Sequence, residues 1–198
     1  MINILLDALP ATISVAGREF FADTDFRTII ELEGLIMDPE TTSRQMVNDG
    51  LALVFTKGRP RKTEEAWNAL MTFYNCGKEL NPAKVDRRAS PGLIQDRIYD
   101  YEYDGPYIFA AFMSQYGIDL NAIKYLHWWK FQALFRGLDD KNKIVQIMGY
   151  RAADPSKIKD ENERQRIANL QYIYRLPDQQ TREEKAGTIG AVLAGAFR

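Results

Sequence analysis

The sequence predicts a mainly α-helical protein with a small N-terminal β-hairpin. Three observations carry that expectation. Apolar residues recur at three- and four-residue spacing through most of the chain, only one stretch alternates polar and apolar residues, and helix-starting caps precede most of the periodic segments. The single alternating stretch lies between Ala11 and Ala22, where Thr12-Ile-Ser-Val15 and Glu19-Phe-Phe21 flank Ala16-Gly17, a pair suited to a tight hairpin turn.

The helices follow in order. Asp23-Thr-Asp25 offers caps ahead of Phe26, Ile29, Ile30, Glu33 and Met37, a helix that should end near Asp38-Pro39. Thr41 or Thr42 caps a second helix running through Met46, Leu51 and Val54. Lys57-Gly-Arg-Pro-Arg-Lys62 reads as a solvated loop, and Thr63 starts a helix carrying Trp67, Leu70, Met71 and Tyr74. Gly77 to Gly92 contains Asn81-Pro82, Arg87-Arg88 and Ser90-Pro91-Gly92 and few large apolar side chains, which suits a connection. The chain therefore divides into an N-terminal unit over 1–77, a linker over 78–97 and a helical C-terminal unit over 98–198.

In the second unit, Asp104 is placed to cap a helix with Pro106 in its first turn and Ile108, Phe109, Phe112, Met113 and Tyr116 along it. Gly117-Ile-Asp119 breaks it. A helix over 120–137 follows, holding the only histidine, His127, with Trp128, Trp129 and Phe131. Its apolar arc is too broad for a surface helix, so these residues are assigned to the core, with Lys130 inside the same arc. A charge there needs a carboxylate partner, for which Asp100, Glu102 and Asp104 are the candidates. Gly137 closes this helix, Asp139-Asp140 opens the next, and Gly149 ends it. Ser156 to Arg166 is polar and precedes Ile167, Leu170, Ile173 and Tyr174, and the tail beyond Pro177 is expected to be mobile.

Composition narrows the function classes. Lys and Arg total 26 against 27 for Asp and Glu, a net charge of -1, without the basic excess that non-specific nucleic-acid binding requires. One cysteine, Cys76, excludes an intramolecular disulfide framework and fits a reducing cytoplasm. No segment approaches the roughly 20 apolar residues that cross a bilayer, and no export signal is read at the N-terminus. Asp100-Tyr-Glu102-Tyr-Asp104-Gly105 matches the opening of a calcium loop, but the twelfth position holds Ala111 where the bidentate glutamate belongs. A lone histidine cannot build a multi-histidine metal site, and no nucleophile motif or phosphate loop accompanies it. No catalytic residue, cofactor or metal is assigned, and His127 is expected to be a hydrogen-bonded core imidazole.

Asp104-Gly-Pro-Tyr-Ile-Phe-Ala-Ala-Phe112, Tyr116-Gly-Ile-Asp-Leu120, Leu126-His-Trp-Trp-Lys-Phe131 and Ile147-Met-Gly-Tyr-Arg151 together resemble the gene product fifteen family of long-tailed phages and prophages of Gram-positive bacteria. Members of that family are typically encoded near the tape measure gene. The resemblance implies a tail assembly chaperone in the host cytoplasm, with the helical tape measure protein as client, the tail tube protein as a further partner, and self-association left open. The alternative it leaves is a structural tail or connector component retained in the virion. For a client-binding role the interface candidates are Ile167, Leu170 and Tyr174 on the last helix and Ile189, Val192 and Leu193 in the apolar tail.

Overall fold

A computed structural model of the chain describes residues 2–78 and 97–176. Strands β1 (Thr12–Val15) and β2 (Arg18–Phe21) form an antiparallel hairpin in which Val15 pairs with Arg18. Ala16 and Gly17 close it with φ of 50° and 77°, the left-handed pair that matches the twist of the flanking strands. Seven α-helices follow among the described residues: α1 (Phe26–Met37), α2 (Ser43–Val54), α3 (Thr63–Tyr74), α4 (Gly105–Tyr116), α5 (Trp128–Arg136), α6 (Lys143–Ala152) and α7 (Glu161–Ile173). The mainly α architecture with an N-terminal hairpin is the one the sequence predicts. The expected linker falls almost entirely on 79–96, outside the described residues, as does the tail from Pro177 onward.

Local chemistry sets most boundaries. The Asp25 carboxylate accepts the Arg27 N–H at the start of α1. Thr42 and Gln45 form a reciprocal capping box at the start of α2, and the Asp160 side chain accepts the Glu163 N–H at the start of α7.

Three boundaries differ from expectation. The helix expected over 120–137 begins only at Trp128, because the preceding residues pair with the chain entering α1. Phe26 N–H donates to Leu126 O at 2.9 Å, Trp128 N–H donates to Thr24 O at 2.8 Å, and the Asp25 carboxylate accepts the Leu126 N–H at 3.0 Å. Leu126 and His127 are thereby held extended, and His127 becomes the N-cap of α5. Asp139 accepts the Lys141 N–H in a turn rather than opening α6, whose N-cap position falls to Asn142. Gly149 lies inside α6, which continues to Ala152 and so carries Arg151 on its last turn.

The stretches before and after 79–96 share one core. Phe131, fully buried, stacks on Phe26 of α1 at 4.8 Å and on Phe112 of α4 at 5.1 Å, with Trp128 and Phe135 of its own helix beside it. The indole N–H groups of Trp128 and Trp129 donate to Tyr74 O and Phe73 O, both at 2.8 Å, which gives the Tyr74 carbonyl in the last turn of α3 a partner and adds a second donor to Phe73 O beside the Cys76 N–H. Arg27 of α1 completes the join by donating to Leu120 O and Ile123 O.

Candidate functional site: a buried ionic network and the seat of the last helix

Of the three acids named as candidate partners for Lys130, Asp100 and Asp104 are turned inward and Glu102 is exposed. Asp104 and Asp100 are almost completely buried. Arg151 meets Asp104 through two nitrogens, at 2.5 Å to Oδ2 and 3.0 Å to Oδ1, a two-pronged match of guanidinium to carboxylate. The same guanidinium donates to Ile98 O at 3.0 Å and to Tyr174 O at 2.7 Å, so one side chain of α6 ties the entry to α4 and the end of α7. Asp104 Oδ2 also accepts the Asp100 N–H, and Asp100 Oδ1 accepts the N–H groups of Glu102 and Tyr103. Asp104 occupies the N-cap position of α4 but makes no side-chain cap, because its oxygens are committed to Arg151 and to Asp100.

The network continues through Arg97, which lies 3.4 Å from Asp100 and 3.3 Å from Glu33 of α1. Glu33 is itself buried and accepts the Tyr74 hydroxyl at 2.6 Å. Burial raises the Glu33 carboxyl above its ordinary range, against the opposing hydrogen bond from Tyr74 and charge of Arg97. Burial also lifts the Tyr74 and Tyr101 phenols well above theirs and pushes Tyr99 up to about 12. Such phenols stay protonated donors. The arrangement locks α1, α3, α4, α6 and α7 together through buried hydrogen bonds and ion pairs.

His127 has both ring nitrogens engaged. Nδ1 accepts the Trp129 N–H at 3.0 Å, which leaves the proton on Nε2 to be donated to Pro10 O at 3.1 Å. Burial lowers its pKa, so the imidazole is held neutral as a helix cap. The core assignments of His127, Trp128, Trp129 and Phe131 agree with their burial.

Lys130 does not belong with them. It is exposed on α5, and the expected pairing with Asp100, Glu102 or Asp104 is replaced by the arginine partners Arg97 and Arg151. Once the helix starts at Trp128, the face that seemed apolar around Lys130 loses Ile123 and Leu126, while Gln132 turns inward to donate to the Tyr101 hydroxyl at 2.9 Å. Arg97, Arg151 and Gln132 are the residues sequence reasoning missed. Only Arg151 carried a signal, its place at the end of the Ile147–Arg151 block.

The interface candidates of α7 divide. Ile167 is buried, and Leu170 and Tyr174 are half-buried, so they seat the helix rather than offer a free face. The Tyr174 ring stacks with Tyr150 at 6.1 Å and lies under the Lys143 ammonium, 4.9 Å from its centroid. The exposed apolar residues are Tyr172 and Ile173, at 67% and 66% of full exposure. Ile189, Val192 and Leu193 lie outside the described residues. Among the described residues no cluster of three or more His, Cys, Asp or Glu is arranged to hold a metal ion, and no helix is long and apolar enough to cross a membrane.

No curated protein and no solved structure matches the chain. A family model described as Bacteriophage Gp15 protein matches residues 5–176 of the 198 and takes in the hairpin, all seven helices and the blocks joined by the Asp104–Arg151 pair. The chain therefore belongs to the bacteriophage Gp15 protein family.

Proposed function

We propose that this phage protein acts in long-tail assembly as a chaperone that binds the helical tape measure protein in the host cytoplasm and yields it to the tail tube protein. Membership of the Gp15 family is the observation that carries the reading. The chemistry of the core supports a binding role over a catalytic one. His127 is spent on Trp129 and Pro10, and Asp100, Asp104 and Glu33 are enclosed with Arg97 and Arg151, so the groups best suited to acid–base work serve the fold. The exposed pair Tyr172 and Ile173, at the end of an otherwise polar helix, is apolar surface of the kind that meets an amphipathic client helix.

Co-expression with the tape measure protein of the same phage tests the reading. The client is expected to become soluble and to co-purify, and Tyr172→Ser with Ile173→Ser is expected to weaken the complex without lowering the melting temperature. A client that stays insoluble and unbound would refute the chaperone role. Mass spectrometry of purified particles gives a second test, because a chaperone leaves the assembled tail and a retained structural component does not.

A further inference from the structure

The hairpin register leaves one strand edge open beside a concentration of positive charge. A two-residue turn makes Val15 and Arg18 a hydrogen-bonded pair, and the alternation continues through Ile13 with Phe20 to the Ala22 N–H, which donates to Ala11 O at 3.2 Å. Glu19 and Phe21, at the intervening positions, turn their N–H and C=O groups away from β1. The next residue in that outward series, Asp23, donates its N–H to Val54 O at 2.8 Å, so the open edge faces the segment that leaves α2. Among the described residues nothing accepts from the N–H groups of Glu19 or Phe21.

That segment is Lys57-Gly-Arg-Pro-Arg-Lys62, and a groove runs between it and β2. Arg18, Lys57, Arg59, Arg61 and Lys62 line the groove against a single acid, Glu19, whose carboxylate is occupied by the Thr12 hydroxyl. Pro60 is buried and anchors the loop, while Arg59 bonds to Asn48 and Lys62 pairs with Glu65. Lys57 lies over the Phe21 ring, 5.1 Å from its centroid, and Phe21 is 57% exposed. In a chain of net charge -1, five cations around one groove are a local departure from balance.

We propose that this groove docks an extended acidic segment of a partner protein, which adds to β2 as a third strand. The open edge supplies main-chain pairing at Glu19 and Phe21, and the loop cations supply the choice of partner. A cation-lined edge repels basic strands and adds nothing to the main-chain pairing of uncharged ones, so the charges that guard the edge against indiscriminate pairing also select an acidic strand. A polypeptide fits better than a nucleic acid, because a strand edge rewards alternating amide N–H and C=O groups that a phosphodiester backbone lacks. The groove is formed by other elements than α7, so this docking stands or falls separately from client binding by Tyr172 and Ile173.

The test titrates the full chain with a fluorescein-labelled peptide of alternating Asp and Val. Parallel titrations use the same peptide methylated at the amide nitrogens that would face β2, the Asn–Val counterpart, and a thymidine oligonucleotide of equal charge. The Asp–Val peptide is expected to bind, to protect the Glu19 and Phe21 amides from hydrogen exchange, and to lose about tenfold or more in affinity with Lys57→Glu plus Arg61→Glu. The methylated and Asn–Val peptides are expected to bind at least about tenfold more weakly than the Asp–Val peptide. Absence of Asp–Val binding, equal binding of the methylated peptide, or binding without protection of Glu19 and Phe21 would each overturn the proposal. So would an oligonucleotide that binds as tightly as the peptide. The exchange and methylation arms use the unaltered protein and decide the matter even if the double variant fails to fold.

Discussion

Replacing Arg151 with methionine isolates the cost of the buried ionic network. The methionine fills most of the space of the arginine arm, so the perturbation is mainly electrostatic. It strands the Asp104 carboxylate, whose side chain is 3% exposed, with the Asp100 N–H as its remaining hydrogen bond. It also removes the donors to Ile98 O and Tyr174 O. Removing one member of a buried pair costs about 3–5 kcal/mol, about a fifth or more of the stability of an ordinary domain, and should lower the melting midpoint by about 10 °C. Urea denaturation followed by tryptophan emission reads this directly, since Trp67, Trp128 and Trp129 are all buried. Arg151→Lys should lose about 2 kcal/mol, because a single ammonium cannot span both carboxylate oxygens and two carbonyls. Asp104→Asn in the Arg151→Met background should recover part of the loss by removing the stranded charge, giving a coupling of about 1–3 kcal/mol. A loss below about 1 kcal/mol for Arg151→Met, or additive effects in the cycle, would refute the idea that this pair closes the fold.

Further predictions follow from the same packing. A Cβ at Gly50 would lie 2.7 Å from Leu32 Cδ1 and 2.9 Å from Trp67 Cζ3, both in the core, so Gly50→Ala should destabilise by about 1–3 kcal/mol in urea titration. Gly34→Ala in α1 meets nothing within 4 Å and should instead stabilise by about 0.5–1 kcal/mol in the same measurement. Burial lowers the His127 pKa from 6.5, so the unfolded chain takes up the proton first. Stability should be complete above that value and fall as pH drops through it until the folded form also protonates, and His127→Asn should abolish this slope in unfolding titrations across the range. Phe131→Ala should cost about 3–5 kcal/mol and lower one shared transition, with fluorescence and circular dichroism midpoints moving together, because its ring joins helices from both sides of 79–96.

Elements whose signals are local were legible in the sequence. The hairpin turn, the Asp25 and Thr42 caps and the spacing of Phe26, Ile29 and Glu33 each act within a few residues, and they hold in the fold, while Leu32 and Ile36 complete the buried face of α1 in place of Ile30 and Met37. The start of α5 was not legible, because it is fixed by pairing between 24–26 and 126–128, about a hundred residues apart in the chain. A helical projection that included 120–127 then placed Lys130 in the core, whereas it is exposed and Gln132 is buried. Gly149 misled for a related reason. A glycine costs a helix about 1 kcal/mol, but Ile144 and Ile147, fully buried, together with the Arg151 anchor hold α6 past it.

Of the residues assigned to the core, His127, Trp128, Trp129 and Phe131 are buried and Lys130 is exposed. Blocks 100–104, 126–131 and 147–151 stand out in the sequence because they hold its rarest or most charged side chains, and the structure gives each a closing task. Asp104 meets Arg151, His127 caps α5, and Trp128 and Trp129 cover the carbonyl end of α3. Residues so committed are expensive to change and mark the family, yet they have no free valence for a partner. On the proposed binding role, the partner meets positions the fold does not consume. Among the described residues those include Tyr172 and Ile173 on α7, Leu5 and Leu6 near the start of the chain, and the edge of β2 with its basic loop. The same logic sets an order for mutagenesis. Substitutions in the three distinctive blocks should lower stability and binding together, whereas substitutions at Tyr172, Ile173, Lys57 or Arg61 should lower binding alone. A variant of Tyr172 that melts early while retaining its partner would reverse that assignment.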